Sequence, residues 1–126
     1  AAALIHDLAR KHDSFCTEHG LWAKNTKRPI AERYLLGFRL PESEWTAIAD
    51  AIEAHSKPDP IPPFPPGSLP ALLKDADGLD RVRLYKPPNP AYFRHRFTAE
   101  YLDLAWELLE LDEGRLEEII IDKAKS

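Results

Sequence analysis

The chain has one cysteine, Cys16, and no methionine among its 126 residues. A lone cysteine cannot close an internal disulfide, so a reducing setting, the cytoplasm, is expected. An excess of positive charge is also missing. Seventeen Lys and Arg against 21 Asp and Glu give a formal net charge of −4, which argues against a nucleic-acid binder working through a broad basic face. No apolar run approaches the ~18 residues that cross a bilayer, and no signal-peptide pattern opens the chain, so no membrane partner is expected. No segment alternates apolar and polar residues as a half-buried strand does. No serine or cysteine stands in a nucleophile motif.

What is present is helical periodicity, and it predicts a single all-α domain over residues 1–126. An apolar fraction of 44% and a charged fraction of 30% are ordinary for a globular chain. The expected helices run from Ala1 to about Lys11, from Glu18 onward, and from Ile30 to about Phe38. Another is expected from Pro41 to about Ser56, where proline suits the first turn. Within it Trp45, Ile48, Ala49 and Ile52 form a core-facing stripe that His55 extends. The segment Lys57 to Gly67 holds six prolines, which exclude helix and central strand and predict a stiff connecting loop. Helices are then expected over Leu69 to about Leu84 and Phe93 to about Leu111, with a last charged helix from Arg115. The apolar start, without methionine, cap or polar lead-in, predicts that a further helix precedes residue 1.

The candidate chemistry begins at His6-Asp7, set in the apolar run Ala1 to Ala9. A carboxylate among apolar neighbours needs a cation or a hydrogen-bonding partner. At about 100° per residue, Leu73, Asp77, Asp80 and Leu84 share roughly a 60° arc of their helix. Asp77 and Asp80 are therefore expected to face the core, while Asp75 reads as a solvated residue. His12 and His95 read as surface or capping residues in basic surroundings. Together, His6, Asp7, His19, His55 and Asp77 are the imidazole and carboxylate donors that first-row divalent metals take.

The order of these residues resembles the HD superfamily of metal-dependent phosphohydrolases, whose hallmark is H…HD…D on an all-helical domain. The residues that carry it are Leu4-Ile-His-Asp-Leu-Ala-Arg10 and Lys74-Asp-Ala-Asp-Gly-Leu-Asp-Arg81, and it extends from residue 1 to about Leu84. The resemblance implies a compact helical bundle in which His6, Asp7 and Asp77 bind a primary ion. Glu18-His-Gly20 and Ala54-His-Ser56 look like the added histidines of members that hold two metals. It further implies that Arg10 and Arg81 meet a substrate phosphate and that Asp80 orients a ligand histidine. The implied cofactor is one or two divalent transition ions (Mn, Fe, Ni, Co or Zn), and the implied partner is a small phosphorylated substrate, a nucleotide among the options. The first metal histidine of the family, on the helix before HD, has no counterpart in residues 1–5. The same geometry kept without activity would make a ligand-sensing or protein-interaction module, which is the alternative reading.

Overall fold

Helix α4 (Glu42–His55) lies at the centre of the molecule in a computed structural model that describes residues 1–12, 15–34, 40–84 and 88–111. Against it pack α1 (Ala2–Ile5), α2 (His19–Thr26) and α5 (Leu69–Asp80), with α3 (Arg28–Tyr34) on α1 and α2 and α6 (Leu102–Leu109) on α5. Short 3₁₀ turns occupy Arg81–Leu84, Pro90–Tyr92 and Arg96–Tyr101, and no strand occurs among the described residues. The all-α expectation therefore holds. No described helix is long and apolar enough to cross a membrane.

Pro41 precedes α4 with ψ near 147°, and Glu42 and Glu44 fill the first turn, where acidic side chains suit the helix dipole. Its inner face carries Trp45, Ala49, Ala51, Ile52 and His55. Ile5, Ala23, Ala31 and Leu73 join this face in one core, and Ile5 and Ile52 are fully buried. Each such isoleucine contributes about 1.5–3 kcal/mol by leaving water.

Gly20 sets how closely α2 lies on α4. A Cβ at this position would sit 2.3 Å from the Ile52 carbonyl oxygen and 2.8 Å from Ser56 Oγ. Only glycine permits that approach, and Ser56 Oγ ties the two elements by donating to the Thr17 carbonyl at 2.9 Å.

The proline-rich connection has no regular structure over 57–67, as expected. It is anchored at both ends. Lys74 Nζ donates to the Lys57 carbonyl, Arg94 grips Asp59 with Nε and Nη2 at 3.0 and 2.9 Å, and the Gly67 N–H donates to His95 Nε2 at 2.8 Å. Gly67 has φ +81°, a left-handed conformation that glycine adopts without a Cβ clash.

Three expected helices are shorter than their periodicity suggested. α1 ends at Ile5, and tighter i→i−3 bonds, Leu8 N to Ile5 O and Arg10 N to Asp7 O, carry the chain onward. α5 gives way to a 3₁₀ turn at Arg81. The helix expected from Phe93 is regular only from Leu102, because the backbone N–H groups of Arg94 and His95 are taken by a side chain of α5. The helix expected from Arg115 lies outside the described residues, as does the C-terminal end of the one expected to reach Phe38.

Candidate metal centre

Three histidines from three parts of the chain turn the same nitrogen toward a common point. His6 caps the end of α1, His19 opens α2 and His55 closes α4. Each donates its Nδ1–H to the backbone carbonyl three residues earlier: His6 to Ala3 at 2.9 Å, His19 to Cys16 at 2.8 Å, and His55 to Ile52. A carbonyl can only accept, so Nδ1 carries the proton in all three rings and Nε2 is left with its lone pair. Fixing a ring by its second nitrogen is how metal-binding histidines are held.

The Nε2 atoms gather around Asp7. Oδ1 of Asp7 lies 3.1 Å from His19 Nε2 and 3.4 Å from His55 Nε2. Oδ2 lies 3.7 Å from both His6 Nε2 and Arg10 Nη1. Asp77 stands on the far side of His6, with Oδ1 3.8 Å from Nε2. The rings pack edge to face, His6 on His55 at 4.8 Å and His19 on His55 at 4.7 Å between centroids.

The closest contact decides the chemistry. His19 Nε2 and His55 Nε2 are 2.8 Å apart. With both Nδ1 protons committed to carbonyls, two lone pairs face each other across this gap. A proton on one nitrogen or a cation shared between them is required to relieve the repulsion. Two donors bound at about 2.1 Å to one ion are about 3–4.2 Å apart, according to the angle between them. The Asp7 and His6 separations fall within that span, and the His19–His55 separation lies just below it. His6, Asp7 and His55 each offer a donor atom within 4.8 Å of the others. This donor set fits a divalent transition ion.

The electrostatics favour positive charge beside Asp7. A proton on His55 Nε2, the alternative to a shared cation, hydrogen-bonds to Asp7 and holds its carboxyl down to about 2 against its burial, helped by the charges of His6, Arg10 and His19. Burial disfavours the charged form of His6, yet the contact with Asp77 and the charge of Asp7 outweigh it and raise the His6 pKa. Burial, then the charge of His55, lowers the His19 pKa against the pull of Asp7, which keeps that ring neutral and able to ligate. Burial also works against ionised Asp77, but His6 more than compensates and its pKa falls.

The site is closed at one end and open at the other. The His55 side chain is 1% exposed and that of Asp77 35%. A cavity of about 610 Å³ is lined by His55, Asp77, Arg81, Tyr92, Phe93 and Arg94, among others. A second, of about 350 Å³, shares His55, Asp77 and Arg81 and adds Arg10, His19 and Arg83. Arg81 thus faces both cavities, and it has no carboxylate partner among the described residues. Arg10 is placed beside Asp7 and also donates to the His12 carbonyl.

Two acids of α5 lie where the helical arc did not put them. Asp75, expected in solvent, is 3% exposed. Its Oδ1 accepts from Arg94 N at 2.9 Å, and its Oδ2 from His95 N and Nδ1 at 2.9 Å and Thr98 Oγ1 at 2.8 Å. Asp80, expected to face the core and orient a histidine, is 58% exposed and engages Arg83 instead. The reason is that α5 is covered on two faces, by α4 and by the 3₁₀ segment after His95, so one apolar arc does not describe its burial. His95, read as a surface residue, is buried for the same reason, between Asp75 and the Gly67 N–H. His12 is exposed, as expected.

Lys74 completes the support of the centre. Buried to 6% exposure, its Nζ reaches the His55 carbonyl at 3.4 Å and Asp59 Oδ1 at 3.1 Å in addition to Lys57. It holds the C-terminal carbonyls of α4 and so fixes the backbone that carries His55. Nothing in the sequence signals this role beyond a lysine among apolar neighbours. No family model matches the chain, and neither curated proteins nor solved structures show a significant match to it.

Proposed function

We propose that the chain is an HD-type metal-dependent phosphohydrolase, with His6, Asp7, His19, His55 and Asp77 holding one or two divalent transition ions. The observation that carries this reading is the pair of Nε2 atoms 2.8 Å apart whose Nδ1 protons are already committed. Asp7 suits a two-ion arrangement, because its Oδ1 serves His19 and His55 while its Oδ2 serves His6, with Asp77 beyond. When bound, the ion supplies Lewis-acid chemistry toward a phosphate oxygen and makes water acidic enough to react near neutral pH.

The chain itself supplies position and charge. The carbonyls of Ala3, Cys16 and Ile52 lock the three rings, and Lys74 locks the end of α4 beneath them. Arg81 offers its guanidinium to a phosphate where the two cavities meet, a geometry suited to bidentate recognition. Arg10, with Nη1 3.7 Å from Asp7 Oδ2, adds to the positive charge of the histidines that favours ionised Asp7.

Turnover of a phosphate-ester panel with added Mn²⁺, Ni²⁺ or Zn²⁺ tests the reading. Release of inorganic phosphate should depend on the metal. Asp77→Ala should lower kcat/KM by at least about a hundredfold, and Arg81→Ala should chiefly raise KM. An inert wild type across panel and metals, with the fold intact, rejects the reading.

A further inference from the structure

The buried ring of His95 is held from both sides. Its Nδ1 lies 2.9 Å from Asp75 Oδ2, and its Nε2 takes the Gly67 N–H at 2.8 Å. A backbone N–H can only donate, so Nε2 presents its lone pair and the ring proton sits on Nδ1, where it bonds to the carboxylate. None of the residues proposed to hold metal meets this ring by a hydrogen bond or an ion pair.

The Gly67 bond anchors one end of the proline-rich loop, and the other end is held by different chemistry. There Asp59 takes two bonds from Arg94 and lies 3.1 Å from Lys74 Nζ. A guanidinium stays charged throughout the range in which imidazole titrates. Arg94, and after it Lys74, draw the Asp59 pKa below its ordinary value against its burial. At the Gly67 end stands an imidazole, the one side chain that in ordinary surroundings changes charge between about pH 5 and 8.

A second proton on His95 has only Nε2 to enter. It would set two N–H donors against each other across 2.8 Å, while the pairing with Asp75 would become an ion pair. Asp75 of α5 is the one carboxylate that pairs with the ring among the described residues. Of the cations beside it, Arg94 turns to Asp59 and Asp75, Lys74 turns to Asp59, and Arg96 is exposed. The Phe97 ring packs at 5.0 Å between centroids. Little else holds this end of the loop. Residues 60–63 and 65–67 are exposed, and the buried Ser68 Oγ has no hydrogen-bond partner among the described residues. Parting Gly67 from His95 therefore uncovers little surface and lets water reach an unsatisfied hydroxyl.

We infer that His95 is an acid-operated latch on the proline-rich loop. Neutral, it holds Gly67; protonated at Nε2, it keeps Asp75 and releases Gly67, and the loop stays hinged at Asp59. Asp59 lines the larger cavity, so the hinge lies at the edge of the candidate centre. The latch does not depend on the phosphohydrolase reading.

Nuclear magnetic resonance of the ¹⁵N-labelled chain reads both partners. Imidazole ¹⁵N shifts should show Nδ1 protonated and Nε2 bare at about pH 8, with Nε2 gaining its proton as the pH falls to about 5. Over the same interval the protection of the Gly67 amide against hydrogen exchange, corrected for the intrinsic rate, should fall by at least about tenfold, the weight of one hydrogen bond. The two changes should share one midpoint, and the His95 amide, held by Asp75, should keep its protection. His95→Gln can place an amide oxygen where Nε2 stands, so its Gly67 should stay protected across the whole range. Loss of a metal ion on acidification would act on both proteins alike and cannot produce this contrast. The inference is overturned by a proton on Nε2 at the alkaline end, by a ring that stays neutral at the acid end, or by Gly67 protection that persists while the ring titrates. An equal loss of protection in a folded His95→Gln also overturns it. If that variant does not fold, the wild-type midpoints decide alone.

Discussion

Asp75→Asn should be among the most damaging single-atom changes in the molecule. Asp75 Oδ2 accepts three hydrogen bonds, from His95 N, His95 Nδ1 and Thr98 Oγ1, and Oδ1 a fourth from Arg94 N. An amide has one oxygen, so at least one N–H donor would face the new NH₂ group in a site 3% exposed. Leaving a buried donor unsatisfied costs about 1–3 kcal/mol, and losing the charge from a buried network raises the total to about 3–5 kcal/mol. Asp80→Asn, five residues along the same helix, removes only an exposed pair with Arg83 and should cost under about 1 kcal/mol. Urea unfolding of both variants measures the contrast. Equal midpoints, or a larger loss at Asp80, would refute the burial argument.

The same network fixes a pH dependence. Burial pushes the Asp75 pKa up, but the bonds from Arg94, His95 and Thr98 outweigh it and the folded value lies below the ordinary one. A depressed carboxylate contributes stability that is present above its unfolded pKa, near 4, and is lost as pH falls through the folded value. Wild type should therefore lose more stability than Asp75→Asn between pH 5 and pH 2. Parallel losses in the two proteins would contradict this.

Two further substitutions test the supports of the centre. Gly20→Ala raises helix propensity in α2, yet its Cβ would meet the Ile52 carbonyl at 2.3 Å, so it should destabilise by about 1–3 kcal/mol and weaken metal affinity by parting His19 from His55. A stabilised variant in thermal unfolding would show that the helices are not in such close contact. Lys74→Met keeps the stem but removes the donor to the His55 and Lys57 carbonyls and one partner of Asp59, with an expected loss of about 1–2 kcal/mol in urea unfolding. An unchanged midpoint would remove Lys74 from the account.

The parts of the fold that could be read from sequence are those governed by local periodicity. α4 follows from Pro41 and the Trp45, Ile48, Ala49, Ile52 stripe, and the prolines mark the loop before α5. His6, Asp7, His19 and His55 do come together, and Asp77 stands beside His6. The pattern in the sequence could not show why. The locking bonds run to backbone carbonyls three residues back, and Gly20 matters only because α4 approaches it. Asp75 and His95 depart from their expected exposure because they are each other's partners across 20 residues, joining α5 to a segment of 3₁₀ turns without helical period. Asp80 departs from its expected core position because a single apolar arc does not describe a helix covered on two faces.

The central claim is that a cation lies between His19 and His55, and metal analysis tests it most directly. Protein purified without chelator should carry at least one divalent transition ion per chain. Because the imidazoles must be neutral to bind it, occupancy should fall as pH drops below about 6. Asp7→Ala and His55→Ala, both folded by circular dichroism, should lose the ion. A wild-type chain that stays metal-free after exposure to Mn²⁺, Ni²⁺ and Zn²⁺ would contradict the account and leave a shared proton between the two rings.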